Sequence, residues 1–229
     1  MEVKRNDILK VLAVLTMAID HIGALLFPQQ ILFRVVGRLA FPIFAYQIAF
    51  GFEKTGNKNR YMMRMLIWAL VTVWPFYRFS MIVTGDPRYQ NVLFTFFFAL
   101  VVLRFLEKRQ YLAMVIFGIM PVIILEQAGW SMDYGLYGIA VVIVFHLFKR
   151  PEQQMIGIFV STLVYLLFRL VPRGIPLTMI LGNIQFLAVF AVFLIRKDWK
   201  LKIRLPKYFF YAFYPVHLFL LVLVYNAMN

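Results

Sequence analysis

The chain has no cysteine, so disulfides, thiolate metal sites and a cysteine nucleophile are excluded together. Charge is scarce at 15% of residues, against about 25% in an ordinary soluble domain. Histidine occurs three times, without an HExxH pattern or a pair at metal-ligand spacing, so no metal is expected. There is no Gly-rich phosphate loop, no connecting segment long enough for a soluble domain, no low-complexity tract and no clear internal repeat.

What fills the chain instead is apolar. Hydrophobic residues make up 63%, with 25 Phe, 12 Met and 12 Tyr, in long blocks rather than at alternating or amphipathic spacing. A hydrocarbon core about 30 Å thick takes about 20 apolar residues per crossing helix. Nine blocks qualify as candidate spans: 8–28, 31–52, 62–84, 91–106, 111–125, 134–148, 154–171, 175–195 and 207–227. The fourth, fifth and sixth are short and imply tilt, local thinning or incomplete crossing. The fold class is therefore all-α integral membrane, a polytopic bundle of about nine transmembrane helices forming a single domain over 1–229. The first span holds Asp20 and His21 and lacks a small-residue cleavage site, which favours a retained helix over a signal peptide.

The net charge of +14 would point to nucleic acid in a soluble protein. Here the positions of the basic residues exclude nucleic acid and favour a lipid bilayer. With the amino terminus in the cytoplasm, the cytoplasmic segments hold Lys4, Arg5 and Lys10; Lys54, Lys58, Arg60 and Arg64; Arg104, Lys108 and Arg109; Lys149 and Arg150; and Arg196, Lys197, Lys200, Lys202, Arg204 and Lys207. The other side receives only arginines: Arg34, Arg38, Arg78, Arg88, Arg169 and Arg173. Nine spans then put the carboxyl terminus outside a cytoplasmic membrane.

An ionisable group inside a span costs about 2.5–3.5 kcal/mol on insertion scales, so each one needs a reason. Asp20 is the one acid well within an apolar block, and His21 follows it. On the second span Arg34 and Arg38 share a face, and Arg38 lies at the depth of Asp20 and His21, so the three are expected to meet across a tight hairpin. An Asp20–Arg38 ion pair gluing two helices is the plain alternative. It leaves His21 unexplained, since consecutive helical residues diverge by about 100°. That divergence also makes Asp20 a poor orienter of His21. On the ninth span His217 follows Tyr214 and Pro215, whereas His146, near the cytoplasmic end of its span, reads as a helix-to-helix contact. Pro42 and Pro215 have no N–H and leave the carbonyls of Arg38 and Tyr211 without helical partners. Such groups persist at membrane depth where protein, water or ligand satisfies them. Lys10 and His21 return to one helix face about 16 Å apart, a span that fits a phosphate-headed ligand with a long arm, or simply a snorkelling lysine.

The stretches MAIDHIGALLF and VGRLAFPIFAYQIAFGFEKTGNKNRYMMRML resemble the TraX family of membrane proteins, as do NVLFTF at 91–96, DYGLYG at 133–138 and FYAFYPVHL at 210–218. The resemblance implies an acetyltransferase, the family being named for conjugal pilin N-acetylation, within the wider group of transmembrane acyltransferases. It implies His21 as the catalytic histidine and Arg38, in the GR motif, as the arginine of the acyl-donor site. The acceptor is left open among peptide, amine and glycan.

The expectation is thus an acyltransferase using acetyl-CoA or another acyl-CoA as donor. His21 acts as general base or acyl carrier, and Arg38, oriented by Asp20, stabilises the oxyanion. Lys10, Lys54, Lys58, Arg60 and Arg64 are candidates for the CoA phosphates. Asn91, Asp133, Tyr134, Tyr214 and His217 are candidates for the acceptor. The rival readings are a small transporter or flippase using Asp20, His21 and Arg38, and a non-catalytic subunit of a larger assembly.

Overall fold

The computed structural model describes residues 7–201, 203–206 and 208–228; the basic residues Lys4, Arg5, Lys202 and Lys207 lie outside the described residues. The apolar blocks become nine helical segments among the described residues. These are α1 (Ile8–Leu26), α2 (Ile31–Lys54), α3 (Lys58–Val83), α4 (Val92–Glu107), α5 (Tyr111–Gln127), α6 (Gly135–Leu147), α7 (Pro151–Arg173), α8 (Leu177–Arg196) and α9 (Phe209–Met228). The bundle is all-α, with one isolated bridge between Gln90 and Met132 among the described residues.

Six of the nine, α1, α2, α3, α7, α8 and α9, are long and apolar enough to cross a bilayer. The other three are the ones the sequence reads as short. Helix α4 has 16 residues and α6 has 13, while α5 passes through a π-helical turn at Val115–Ile119 before Pro121. Elsewhere the helices outrun the apolar blocks: α2 continues to Lys54, α3 starts at Lys58 and α7 starts at Pro151. The flanking Lys and Arg stems lie along apolar surface while their charges reach outward, so a helix does not stop at its first cation. Asn57 caps α3 through its side chain to the Arg60 N–H at 2.8 Å, satisfying a donor that the helix start leaves open.

The core mixes aliphatic and aromatic side chains and is tightly enclosed, with Ile43, Leu100, Val141 and Ile158 fully buried and Phe52 and Phe96 nearly so. The outside is equally apolar. Phe168 is 82% exposed and Leu112 75%, a surface suited to hydrocarbon rather than water.

Chain segments that carry the basic clusters gather at one end of the bundle. Lys58 at the start of α3 pairs with Glu107 at the end of α4, and Lys149 after α6 pairs with Glu53 near the end of α2. Arg196 at the end of α8 donates to the Lys149 carbonyl at 2.7 Å. Before α9, Leu205 N–H donates to Asp7 at 3.1 Å, beside the start of α1. At the opposite end the Gln90 and Met132 segments pair, with Gln90 N–H on the Ser131 carbonyl at 2.8 Å.

Besides α5, two helices are interrupted among the described residues. Helix α2 breaks at Arg38–Leu39, between Ile31–Gly37 and Ala40–Lys54. The break falls four residues before Pro42, where the Arg38 carbonyl lacks its helical partner. Helix α8 is α-helical only at Leu177–Leu181 and Ala191–Arg196, with a 3₁₀ stretch Ile184–Phe190 between. Pro215 sits inside α9 without breaking it.

Asp20 locks α1 to α2. Its carboxylate accepts from Arg34 Nη1 at 2.7 Å and from Arg38 Nη2 at 3.1 Å, so both arginines on that face of α2 converge on one acid. Gly37 makes room for it, because a Cβ there would fall within the Asp20 carboxyl group. Removing Asp20 strands two cations in the bundle. Asp20→Ala is expected to lose about 3–5 kcal/mol, the usual cost of breaking a buried pair, and Gly37→Ala to lower the midpoint in the same direction. Thermal unfolding in detergent checks both, and unchanged midpoints would mean that the pair does not hold the hairpin.

Candidate functional site

A cavity of about 350 Å³ opens among the helix ends opposite the basic end, within the range of about 300–1,000 Å³ common for small-molecule sites. Its polar wall is made by Asp20, His21, Arg34, Arg38 and Gln185, and its floor by aromatic side chains such as Phe41, Phe44 and Phe96. Thr84, Tyr165 and Arg169 lie towards the helix ends. The elements involved are the carboxyl-terminal half of α1, the broken part of α2, the end of α3, the start of α4, the loop before α6, the later part of α7, the 3₁₀ stretch of α8 and Tyr214 of α9.

The interruptions of α2 and α8 meet at this wall. Arg38, at the break in α2, donates from Nη1 to Gln185 Oε1 at 2.8 Å and from Nε to the Arg34 carbonyl at 3.2 Å. Gln185, in the 3₁₀ stretch of α8, is aimed by its neighbours. Its backbone N–H donates to Asn183 Oδ1 at 2.9 Å, and its Nε2 donates to the Tyr137 hydroxyl oxygen at 3.2 Å. Thr162 also donates to that oxygen, at 3.2 Å. Irregular backbone at membrane depth is tolerated where it lines a cavity, and both irregular stretches here do so. The Arg38 guanidinium is thereby held at a fixed angle by an acid, an amide and a carbonyl.

His21 points away from Asp20, as the helical divergence requires, and turns towards α9. Its Nδ1 lies 2.7 Å from Nε2 of His217, and His217 Nδ1 lies 2.9 Å from the Phe213 carbonyl. The two imidazoles are nearly parallel at 7° with centroids 5.0 Å apart. Together with the short N–N distance, that geometry is an in-plane, end-to-end hydrogen bond rather than a face-to-face stack. Phe79 flanks His21 at 5.0 Å and Phe213 stacks on His217 at 4.9 Å. His21 lines the cavity; His217 sits behind it.

Asp133 and Tyr134 reach the same cavity from the loop before α6. Asp133 accepts from the Tyr89 hydroxyl at 2.8 Å, and its backbone carbonyl accepts from Thr95 at 2.6 Å. Burial pushes the Asp133 carboxyl up to about 6, with the Tyr89 hydrogen bond opposing that shift. Tyr134 has φ 66°, a left-handed conformation uncommon for a bulky residue, and its ring lies 3.9 Å from that of Phe41. Held strain of this kind recurs where a side chain is aimed into a site.

Of the residues read from the sequence, Asp20, His21, Arg38, Asp133, Tyr134 and Tyr214 are brought to the cavity. Asn91 is not: its Oδ1 accepts from Leu93 N–H at 3.1 Å and its Nδ2 donates to the Ala69 carbonyl at 3.0 Å, so the side chain serves the start of α4. The five basic candidates also lie away from it, at the basic end. Lys10 pairs with Asp7 at 2.9 Å and lies over Phe210 of α9. Lys54 lies over Phe50, and Lys58 is paired to Glu107. Arg60 uses its backbone N–H on the Asn57 cap, while Arg64 lies against Tyr61 and Tyr211. Lys10 and His21 do share the face of α1 that meets α9. Gln185, Tyr89, Tyr165 and Arg169 are cavity residues that the sequence reading passed over. The one visible signal was Gln185, a polar residue within an apolar block two positions after Asn183.

A family profile described as "TraX protein" matches residues 5–225. The chain is 29% identical to the "Probable fimbrial assembly protein FimC, serogroup H1" of Dichelobacter nodosus, over 93% of this chain and 92% of that protein. It is 28% identical to the "Uncharacterized protein RP591" of Rickettsia prowazekii, over 86% of this chain and 81% of that one. "Protein TraX" of Escherichia coli is 29% identical over 66% of this chain and 59% of its own length. No solved structure matches. The profile covers the hairpin of Asp20 and Arg38, the Asp133 loop and the His217 helix alike, and the chain belongs to the TraX protein family.

Proposed function

We propose that this protein is a membrane-embedded acyltransferase that moves an acetyl or similar short acyl group from acyl-CoA to an amine or hydroxyl acceptor. The observation that carries this reading is the convergence of an imidazole, His21, and a fixed guanidinium, Arg38, on one cavity within a TraX-family bundle. Each serves acyl transfer: a nitrogen lone pair handles a proton or the acyl group, and a preorganised donor meets the charge that develops on the thioester oxygen.

In the general-base form, His21 takes the acceptor proton as the acceptor nitrogen or oxygen bonds to the thioester carbonyl carbon. Charge developing on the carbonyl oxygen is met by Arg38, which Asp20 and Gln185 hold in place. The C–S bond then breaks, and the CoA thiolate takes the proton back from His21. In the acyl-carrier form the same nitrogen attacks first and the acceptor displaces it. Asp133, Tyr134 and Tyr214 form the acceptor side. The amino terminus and basic end face the cytoplasm and the carboxyl terminus lies outside, so CoA phosphates meet Lys10, Lys54, Lys58, Arg60 and Arg64. The pantetheine arm follows the α1–α9 seam from Lys10 towards His21, and the acceptor enters the cavity from outside.

Radiolabelled acetyl-CoA with purified protein in liposomes tests the chemistry. Wild type is expected to release CoA and label an added acceptor, His21→Ala to do neither while remaining folded, and Arg38→Lys to lower kcat by about 10²–10³-fold. Label retained on wild-type protein alone marks the acyl-carrier form. Undiminished transfer by His21→Ala would remove that residue from the mechanism, and substrate movement without transfer would favour a transporter, the other use of broken helices around an intramembrane charge cluster.

The absence of native cysteine makes the orientation directly measurable. A cysteine replacing Asp86, in the α3–α4 loop, is expected to react with an impermeant maleimide on intact cells. One replacing Gly56, in the α2–α3 loop, is expected to react only after permeabilisation. The reverse pattern would invert the topology.

A further inference from the structure

We propose that His217 is a positioning residue that sets the tautomer of His21, leaving the Nε2 lone pair of His21 facing the cavity. The inference rests on the acyltransferase reading for its use, but its geometry stands without it.

The chain of contacts has a direction. A carbonyl oxygen only accepts, so His217 Nδ1, 2.9 Å from the Phe213 carbonyl, carries a hydrogen. In a neutral His217 the other nitrogen, Nε2, is then bare and accepts. Its partner at 2.7 Å, His21 Nδ1, must therefore be the donor, and in a neutral His21 the proton on Nδ1 leaves Nε2 as the lone pair. The alternative, a doubly protonated His217 donating to His21, would place a cation in an apolar seam among His21, Phe213 and Tyr214 with no acid of the described residues beside it, which burial penalises. Among the described residues no protein group accepts or donates at His21 Nε2, and the ring lines the cavity while His217 is buried behind it. Phe213 stacks on His217, and Phe79 flanks His21, so neither ring is free to flip without repacking.

The arrangement does for His21 what a carboxylate does in a Ser-His-Asp triad, using a neutral ring in place of an anion. When Nε2 takes the acceptor proton, the Nδ1 proton can shift towards His217 Nε2, spreading the positive charge over two imidazoles, and it returns when Nε2 yields its proton to the CoA thiolate. No group other than the acceptor and the thioester is consumed.

With only three histidines in the chain, ¹⁵N-histidine labelling of the purified His146→Gln protein isolates the pair in a nitrogen NMR spectrum. The expected spectrum has both rings neutral, both protonated at Nδ1, and a coupling across the His21–His217 hydrogen bond. Protonation of His21 at Nε2, or a charged pair at neutral pH, would overturn the proposal whatever the activity. In the labelled acetyl-CoA assay, His217→Ala is expected to lower kcat by about 10²-fold with KM little changed. His217→Gln, whose amide oxygen can still accept from His21 Nδ1, is expected to recover most of that loss. Equal rates for His217→Ala and wild type would overturn it as well. The expected spectrum with no acyl transfer by wild type would keep the positioning role and remove the acyltransferase reading.

Discussion

The meeting of Asp20 with Arg34 and Arg38 is the constraint on which the rest of the site depends. One carboxylate faces two guanidiniums across the first hairpin, in an environment where any of the three alone would be costly. The acid has no freedom to serve His21, and the histidine is turned by the helix itself towards a different neighbour. The hairpin therefore fixes the arginine by charge and delivers the imidazole by geometry. Gly37 permits the close approach, which gives the glycine of the GR sequence a steric reason.

Around that lock, two stretches of irregular backbone lie where they are useful. The break in α2 after Gly37 and the 3₁₀ stretch of α8 would be liabilities facing lipid. They face each other instead, joined by Arg38 and Gln185, and Tyr137 and Thr162 complete the chain of donors and acceptors behind them. The same logic extends to the Asp133 loop, whose bonds to Tyr89, Thr95 and Gln90 hold a strained Tyr134 against Phe41. An uncharged aromatic floor and a wall with fixed charges suit chemistry in which charge appears only transiently.

Much of this was legible in the sequence because a bilayer makes the patterns strong. Nine apolar blocks give nine helical segments, and the three read as short are the three that fall below crossing length. The Asp20–Arg38 pair followed from depth alone, whereas Pro42 and Pro215 read alike in the sequence and only Pro42 lies next to a broken helix. What the sequence hid is long-range. Gln185 lies 147 positions from Arg38 and His217 lies 196 from His21, and helical spacing carries no information on which helices are neighbours. His217 was read as an acceptor residue from its closeness to Tyr214; only the packing of α9 on α1 puts it behind His21. Asn91 misled for a local reason, since a cap and a ligand-binding amide look alike in a sequence.

The five basic candidates stay at the far end of the bundle, so the account requires a donor long enough to join that end to the cavity. A structure of the protein with a non-hydrolysable acetyl-CoA analogue in lipid nanodiscs is the most direct test of that requirement. The account predicts phosphates at the basic end, an arm along the α1–α9 seam, and the acyl carbonyl oxygen within hydrogen-bond distance of Arg38 beside His21 Nε2. An analogue bound at the basic end alone, with its acyl group remote from His21, would contradict it.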